Sequence, residues 1–228
     1  MYLEVFAIHA HYEYYDFRIL FIHPKVSITM HKPQTLPPVK IITLTGPSGA
    51  GKSSIAKALI AQRPDIALVV SMTTRKSRPS DLPGEYRYEV PAVTFTETHH
   101  FLETVSVHGN CYGTLQSSID DALSRDAPSL MILTPSAIGI IRSYAKTRGG
   151  GGVASFYIVP PPETELAKRL EQRGDDRTTI EKRITDCRRW NDEARHSSIP
   201  YIFISNEEHD AGVQRATARR VGYARFAS

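Results

Sequence analysis

The sequence predicts an α/β fold in which a parallel β-sheet core carries helices on both faces. From Val39 onward, short continuous apolar runs alternate with helical segments, and a glycine-rich segment separates the first run from the first helix. A strand that is buried on both faces appears in sequence as a continuous apolar run, and repeated strand–helix units form parallel sheets. The 228 residues suffice for one ordinary domain with a small inserted lobe.

The elements can be placed along the chain in order. The predicted strands are VKIITLT, IALVVSM, SLMILT, VASFYIV and YIFIS. The predicted helices are the segment after GPSGAGKS that ends near Pro64, then TETHHFLETV, SSIDDALSR, PSAIGIIRSYAK with Pro135 in its first turn, PETELAKRLEQR, TTIEKRITDCRRWNDEARH and the tail from Glu208.

The composition limits which binding partners and which cellular compartment we expect for this protein. The net charge of +4 is mild and no long Lys/Arg run occurs, which fits a small anionic substrate and argues against nucleic acid as a partner. Cys111 and Cys187 lie far apart without a CxxC pattern, so we expect neither a disulfide framework nor a metal site built on cysteines, and we expect a reducing, cytoplasmic location. No apolar stretch has the length of a membrane span, so we expect no membrane partner; the oligomeric state stays open.

Residues 1–38 differ from the rest of the chain. They are rich in Tyr, His and Phe and end in the loop-like stretch HKPQTLPP. Two interpretations are open: an added hairpin, or an upstream extension of the gene model with the start at Met30. We therefore divide the chain into an N-terminal extension (1–38) and a domain (39–228). Since residues 73–112 break the strand–helix rhythm, we expect a core of 39–72 and 115–228 with a lobe inserted at about 73–114.

Residues 46–53, GPSGAGKS, match the phosphate-binding pattern GxxxxGK[ST]. Glycines let backbone N–H groups turn toward phosphates, and the helix that follows adds its positive dipole end. Lys52 is expected to reach the β- and γ-phosphates and the Ser53 hydroxyl to ligate Mg²⁺. The motif predicts a P-loop NTPase fold with an ATP site at Gly46, Pro47, Ser48, Gly49, Ala50, Gly51, Lys52, Ser53 and Ser54.

Further motifs follow in a recognisable order. VSMTTRKSR (70–78) leaves the second predicted strand, and Gly84, Glu103 and GNCYGT (109–114) come after it. This series resembles the guanylate kinase family, with its VSxTTRxxR, a Gly, a Glu and GNxYG[ST], over about residues 39–208. The resemblance implies ATP-dependent phosphorylation of GMP or dGMP with Mg²⁺, and an acceptor-binding lobe at about 73–114.

The resemblance also implies a role for each matching position of the acceptor site. Fixed planar donors suit a bidentate phosphate clamp, and a carboxylate offers only acceptors to the guanine N1–H and amino groups. The arginines and the phenol would grip the acceptor phosphate, the hydroxyls would lie near guanine and the carboxylate would read the base: Arg75, Arg78, Tyr112, Ser71, Thr114 and Glu103.

A second set of motifs resembles the family's helical lid, at about residues 168–184. KRLEQRG (168–174) and the later Lys182-Arg183 match it, which implies that Arg173 and Arg183 close over the triphosphate. Arg169 fits either this role or an ion pair with Glu165 one helical turn earlier. Asn206 matches an adenine contact. The implied catalytic residues are Lys52, Arg75, Arg173 and Arg183.

The chain departs from the family at the end of its central strand. Ile132 and Thr134 replace two aspartates of the family's LDxDxQG, one near guanine and one that supports Mg²⁺ without binding it directly. Arg87 replaces a tyrosine, with Tyr86 and Tyr88 on either side. These departures keep two alternatives open: a kinase of the same fold for another small phosphate, such as ribose 1,5-bisphosphate, and a non-catalytic protein-binding domain. The intact phosphate loop argues against the second.

Overall fold

The computed structural model describes residues 38–79, 81–97, 100–149 and 152–205. The predicted extension, apart from Pro38, and the predicted helical tail from Glu208 lie outside these ranges. The described strands are β1 (Val39–Thr45), β2 (Ala67–Leu68), β3 (Ser71–Thr73), β4 (Tyr86–Arg87), β5 (Phe101–Val107), β6 (Asn110–Leu115), β7 (Ser129–Ile132), β8 (Gly152–Val159) and β9 (Tyr201–Ser205). The described helices are α1 (Lys52–Gln62), α2 (Thr94–Glu97), α3 (Gln116–Ser124), α4 (Pro135–Thr147), α5 (Glu163–Gln172) and α6 (Arg177–Arg195).

Five strands form a parallel sheet in the order β2-β7-β1-β8-β9. β1 is the central strand, where Leu44 pairs with Ile132 of β7 on one side and with Phe156 of β8 on the other. Parallel strands end at the same edge of a sheet, so the loops that follow β1 and β7 meet there. The predicted α/β class is confirmed.

Alternation of side chains along the central strands explains why helices cover both faces. On one face Ile42 and Leu44 belong to a core cluster with Ile55 of α1. On the other face Ile41 belongs to a cluster with Ile138 of α4, and α3 contributes to the same cluster. Each face buries its own apolar layer, which accounts for the unbroken apolar sequence of β1.

A separate four-stranded sheet, β4-β3-β6-β5, is inserted between β2 and α3. β3 pairs with β4 in parallel and with β6 antiparallel, and β5 and β6 form a hairpin. His108 and Gly109 connect the hairpin strands with φ values of 50° and 75°. Two consecutive positive φ values match the right-handed twist of the flanking strands, so the turn closes the hairpin without splaying it.

The prediction of one buried strand over IALVVSM is wrong. β2 ends at Leu68, Val69 donates its N–H to the carbonyl oxygen of Leu130 at 2.9 Å, and β3 begins at Ser71 in the other sheet. Val70, at the crossing, is 47% exposed. An apolar run indicates that its residues are buried, but it does not indicate which sheet each residue joins. The sequence of IALVVSM therefore gave no sign of the boundary between β2 and β3.

The predicted helix over TETHHFLETV is also wrong beyond its first residues. α2 covers only Thr94–Glu97, and residues from Phe101 onward form β5. β5 pairs with β6 from Phe101 opposite Leu115 to Val107 opposite Asn110. This long-range pairing outweighs the local helical pattern, because strand preference depends on packing against a neighbour. The other predicted helices and strands in the described ranges are present.

None of the helices in the described ranges is both long and apolar enough to cross a membrane.

Candidate functional site

One cleft, with a volume of about 730 Å³, gathers most of the predicted site residues. It lies between the loop after β1, the four-stranded sheet and the helices α5 and α6. Ala50 and Thr114 are fully buried beside it, and Asn206 lies outside the described residues. The predicted residues that line the cleft are Gly46, Pro47, Ser48, Gly49, Gly51, Lys52, Ser53, Ser54, Ser71, Arg75, Arg78, Glu103, Tyr112, Arg173 and Arg183.

The phosphate loop, residues 46–53, connects β1 to α1. Gly46 has a φ of 140°, and a Cβ added there would lie 2.5 Å from the carbonyl oxygen of Ile158. Only glycine fits this conformation at this distance from another backbone. Because α1 begins at Lys52, the unpaired N–H groups of its first turn lie at this end of the helix. The loop therefore has the shape and the polarity of an anion site.

Lys52 lies at the centre of this loop. Its ammonium donates to the carbonyl oxygens of Gly46 at 2.7 Å and Pro47 at 2.9 Å. Burial lowers the pKa of Lys52 to about 8, the negative charge of Glu85 opposes that shift, and the positive charge of Arg173 adds to it. The side chain is thus still a cation at neutral pH, in a place where water screens it little.

Arg75 is held in a fixed orientation on the opposite side of the cleft. Its guanidinium donates to both carboxylate oxygens of Asp81, at 2.9 and 3.2 Å. It also lies over the rings of Tyr86 and Tyr88, 5.7 and 5.3 Å from their centroids. Burial by itself lowers the pKa of Arg75, but the Asp81 carboxylate outweighs burial and raises it. A guanidinium fixed in this way is preorganised to bind an anion such as phosphate through its remaining N–H groups.

Arg78 and Tyr112 line the cleft together with Arg75. The Arg78 backbone N–H donates to Asp81 at 2.7 Å, while its guanidinium has no hydrogen-bond or ion-pair partner in the described ranges. Burial and the positive charges of Arg75 and Arg173 lower the pKa of Arg78. The ring of Tyr112 lines the cleft, 5.8 Å from that of Tyr86. Mutual repulsion among these cations is relieved when an anion enters.

A chain of three buried polar side chains crosses the four-stranded sheet. The Ser71 and Thr114 hydroxyl oxygens are 2.8 Å apart, and the Thr114 hydroxyl donates to Oε1 of Glu103 at 2.8 Å. Oε2 of Glu103 is buried with no partner among the described residues. Burial raises the pKa of Glu103, and the Thr114 hydroxyl opposes this. Because Glu103 lines the cleft, its buried, unpartnered carboxylate oxygen could accept a hydrogen bond from a ligand there.

Arg173 and Arg183, the two arginines of the predicted lid, converge on the phosphate loop. Arg173 and Arg183 donate to the Ser48 hydroxyl at 3.2 and 2.9 Å, and both pair with Asp175, at 2.6 and 3.0 Å. The helices that carry them, α5 and α6, pack through a small apolar cluster that contains Leu170 and Cys187. Two guanidinium groups are thereby aimed at the loop that would hold a triphosphate.

Arg169 makes the helical ion pair that its spacing from Glu165 allows, with Nε 3.0 Å from the carboxylate oxygen. Its side chain also lines the cleft, and its Nη1 is buried without a partner among the described residues. Both interpretations of Arg169 are thus compatible with its position.

Residues 39–214 match the family model described as guanylate kinase. The chain belongs to the guanylate kinase family, a family of nucleoside monophosphate kinases.

Curated relatives and one solved structure agree with this assignment. The chain is 34% identical over 186 residues to a guanylate kinase of Methylobacillus flagellatus, covering 78% of this chain and 88% of the relative. It is also 34% identical over 156 residues to a guanylate kinase of Rhizobium meliloti, covering 64% and 68%. A crystal structure of guanylate kinase from Anaplasma phagocytophilum superposes with a TM-score of 0.53 at 23% identity, covering 82% and 84% of the two chains, and supports the fold.

This chain departs from the guanylate kinase motifs at the end of β7. Ile132 is 9% exposed and lines the cleft, while the Thr134 hydroxyl lies 3.0 Å from that of Ser136. Of the two tyrosines on either side of Arg87, only Tyr86 lines the cleft. Tyr86 pairs with Ser71 in the β3–β4 register, lines the cleft and directs its hydroxyl to the Ile132 carbonyl oxygen at 3.4 Å, whereas Arg87 is exposed.

Sequence reasoning missed four carboxylates in the cleft: Asp81, Glu85, Asp175 and Asp186. Asp81 follows Arg78 by three residues and Asp175 follows Arg173 by two, so each lies just past the end of a motif that was interpreted only for its arginines. Glu85 carries no local signal, because it reaches the cleft only through the path of the chain between β3 and β4.

Proposed function

We propose that the protein transfers the γ-phosphoryl group of ATP to GMP or dGMP. The observation that carries the proposal is the free Oε2 of Glu103, held by Thr114 and Ser71 in the same cleft as an intact phosphate loop. Guanine presents an N1–H and an amino group side by side. A desolvated carboxylate that needs donors is complementary to that edge.

The acceptor phosphate would lie against Arg75, Arg78 and Tyr112. The bidentate pair with Asp81 fixes Arg75, while the Arg78 guanidinium remains available. On this proposal, residues 73–114 are the acceptor-binding lobe and residues 168–184 form the lid. The acceptor is already an anion, so the reaction requires positioning and charge stabilisation more than a general base.

On the donor side, Lys52 and the phosphate loop would hold the β- and γ-phosphates, with Arg173 and Arg183 over the transferring group. The residues present fit Mg²⁺: the Ser53 hydroxyl lines the cleft beside Lys52, and Mg²⁺ in such sites takes few protein ligands in addition to phosphate oxygens and water. No cluster of three or more His, Cys, Asp or Glu side chains suited to a metal ion occurs within the described ranges. When bound with ATP, Mg²⁺ would neutralise phosphate charge.

A coupled ADP-release assay tests the acceptor directly. We expect turnover with GMP and dGMP, and much weaker turnover with AMP, UMP and CMP, because their bases lack the paired donors that Glu103 requires. Turnover that is equal across the nucleotides would refute base reading by Glu103. The cytoplasmic location, where these nucleotides are available, stays a prediction from the sequence.

The end of β7 favours one second candidate. With Ile132 and Thr134 in place of aspartates, the cleft has fewer groups that read a base, so a small bisphosphate such as ribose 1,5-bisphosphate is the alternative acceptor. Including this compound in the panel separates the two proposals. Faster turnover of ribose 1,5-bisphosphate than of GMP would favour the alternative.

A further inference from the structure

One face of α6 and the tip of the β5–β6 hairpin border the cleft together. Arg183, Asp186 and Trp190 of the helix line the cleft, and so do His108 and Gly109 of the hairpin turn. Residues that are three, four or seven positions apart lie on the same face of a helix. The face of α6 that carries the catalytic candidate Arg183 is therefore also the face next to the hairpin.

A side-chain contact joins the hairpin tip to α6. Nε2 of His108 lies 3.6 Å from Oδ2 of Asp186, and each side chain is 28% exposed. The other carboxylate oxygen, Oδ1, accepts from Arg189 at 2.7 Å. An imidazolium, or the neutral tautomer with its proton on Nε2, presents an N–H to the carboxylate. Within the described ranges no other ion pair joins residues 73–114 to α6.

The hairpin itself holds His108 in place for this contact. The φ of His108 is 50°, which is uncommon for a residue other than glycine but is what the two-residue turn requires. The Asn110 side chain donates to the His108 carbonyl oxygen at 3.2 Å, and Asn110 pairs with Val107 across the hairpin. The imidazole thus reaches Asp186 from a hydrogen-bonded turn.

The contact acts on the same part of α6 that carries Arg183. Asp186 lies three residues after Arg183, within one helical turn. The Arg183 guanidinium donates to the Ser48 hydroxyl at 2.9 Å and pairs with Asp175 at 3.0 Å, and both of these contacts come from the donor side of the cleft. The contact with His108 adds a hold from the acceptor side, so the place of Arg183 depends on the place of the hairpin.

We propose that His108 and Asp186 are positioning residues, which act through α6 to place Arg183 over the transferring phosphoryl group. The inference rests on the proposed function, in which Arg183 acts on the donor triphosphate. Tyr112, proposed to contact the acceptor phosphate, belongs to β6 of the same hairpin. The hairpin would therefore link binding of the acceptor to placement of an arginine on the donor side.

A double-mutant cycle in the full-length protein tests the pair. We expect His108→Ala and Asp186→Asn each to lower kcat with GMP about two- to fivefold, the range for a partly exposed ion pair, with unchanged melting temperatures. The double variant should lose no more than the larger single loss, because the two residues act through one contact. His108→Lys keeps an N–H cation at the hairpin tip and should keep kcat within about twofold, but only while Asp186 is present.

The chain offers a matched control and a second measurement. His196 lies 3.4 Å from Asp192 at the end of the same helix, but this pair joins no second element, so His196→Ala should leave kcat unchanged. Trp190 is the only tryptophan of the chain and lies one helical turn after Asp186. In the ligand-free protein, acrylamide quenching of its fluorescence should increase in both single variants, because the hairpin tip is released from α6. Quenching should not change in His196→Ala.

Three outcomes would overturn the inference. Unchanged quenching and unchanged kcat in both single variants would show that the pair does not hold the hairpin against α6. Increased quenching with unchanged kcat would show that the contact forms without placing Arg183. Losses that add in the double variant would show that the two residues act separately. Failure of the proposed function gives a different result, because the unmodified protein itself would then turn over no nucleotide.

Discussion

The two sides of the cleft are built in different ways. The donor side is one continuous segment, residues 46–53, in which Lys52 donates to carbonyl oxygens only five and six residues earlier. The acceptor side is assembled from separate strands: Ser71 and Thr114 are 43 residues apart, and Thr114 and Glu103 are 11 apart. A local motif keeps its geometry wherever its flanking strand and helix form, whereas an assembled site depends on strand pairing and register.

The difference extends to how charge is arranged. On the donor side a partly buried cation is held by neutral carbonyl groups, and desolvation lowers the pKa of Lys52 to about 8. On the acceptor side Arg75 is held by a full carboxylate at 2.9 Å, which keeps it charged. The donor lysine is therefore sensitive to pH, and the acceptor arginine is not.

The largest expected effect is on the donor side. Lys52→Ala should reduce kcat on the order of 10³-fold, because a cation aimed at the transferring phosphoryl group is lost. The melting temperature should not fall, since a buried charge is removed. The coupled assay and thermal melts measure the two quantities. Lys57→Ala, on the exposed side of α1, is the matched control and should leave kcat unchanged. Normal turnover in Lys52→Ala would contradict the assignment of the phosphate loop.

On the acceptor side the expected effect is on selectivity. We expect GMP to exceed AMP in kcat/KM by roughly tenfold to a thousandfold, from one or two hydrogen bonds at ~1.4 kcal/mol per decade. Glu103→Gln should remove most of that ratio, because the amide presents a donor to the guanine donors. Glu97→Gln, an exposed residue of α2, serves as the control. An unchanged GMP/AMP ratio in Glu103→Gln would show that Glu103 does not read the base.

The pH dependence should distinguish the two sides. The pKa of Lys52 is lowered to about 8, so above that pH the free enzyme loses the cation that holds the phosphates. We expect kcat/KM for ATP to fall about tenfold per pH unit above pH 8, since this parameter reports ionisation of the free enzyme. Lys52→Arg keeps its charge and should show lower activity with no such fall. A flat profile to pH 9.5 in the unmodified protein would rule out a lowered Lys52 pKa.

The smallest effects come from the carboxylates that hold the arginines. Asp81→Asn should raise KM for the acceptor about tenfold and leave KM for ATP unchanged, because it releases Arg75. Asp175→Asn releases Arg173 and Arg183, so it should raise KM for ATP about tenfold and leave KM for the acceptor unchanged. Steady-state kinetics with each substrate varied in turn give both constants. If both variants raise the same KM, the two sides are not independent.

Local patterns account for much of the fold and for the donor side. The phosphate loop, β1 and α1 could all be predicted, because glycine spacing, an apolar run and a helix start are short-range signals. The arginines at 75, 78, 173 and 183 were also placed at the cleft, on the strength of motif resemblance.

By itself the sequence determined the position of the phosphate-loop motif at residues 46–53 and the absence of carboxylates at Ile132 and Thr134. Only the tertiary structure decided that IALVVSM divides between two sheets, that residues 101–107 form a strand, and that Glu103 keeps one oxygen free. It also decided that Glu85, which carries no local signal, lines the cleft. The physical reason is that strand pairing and burial of a polar side chain depend on partners tens of residues away, which no local pattern encodes.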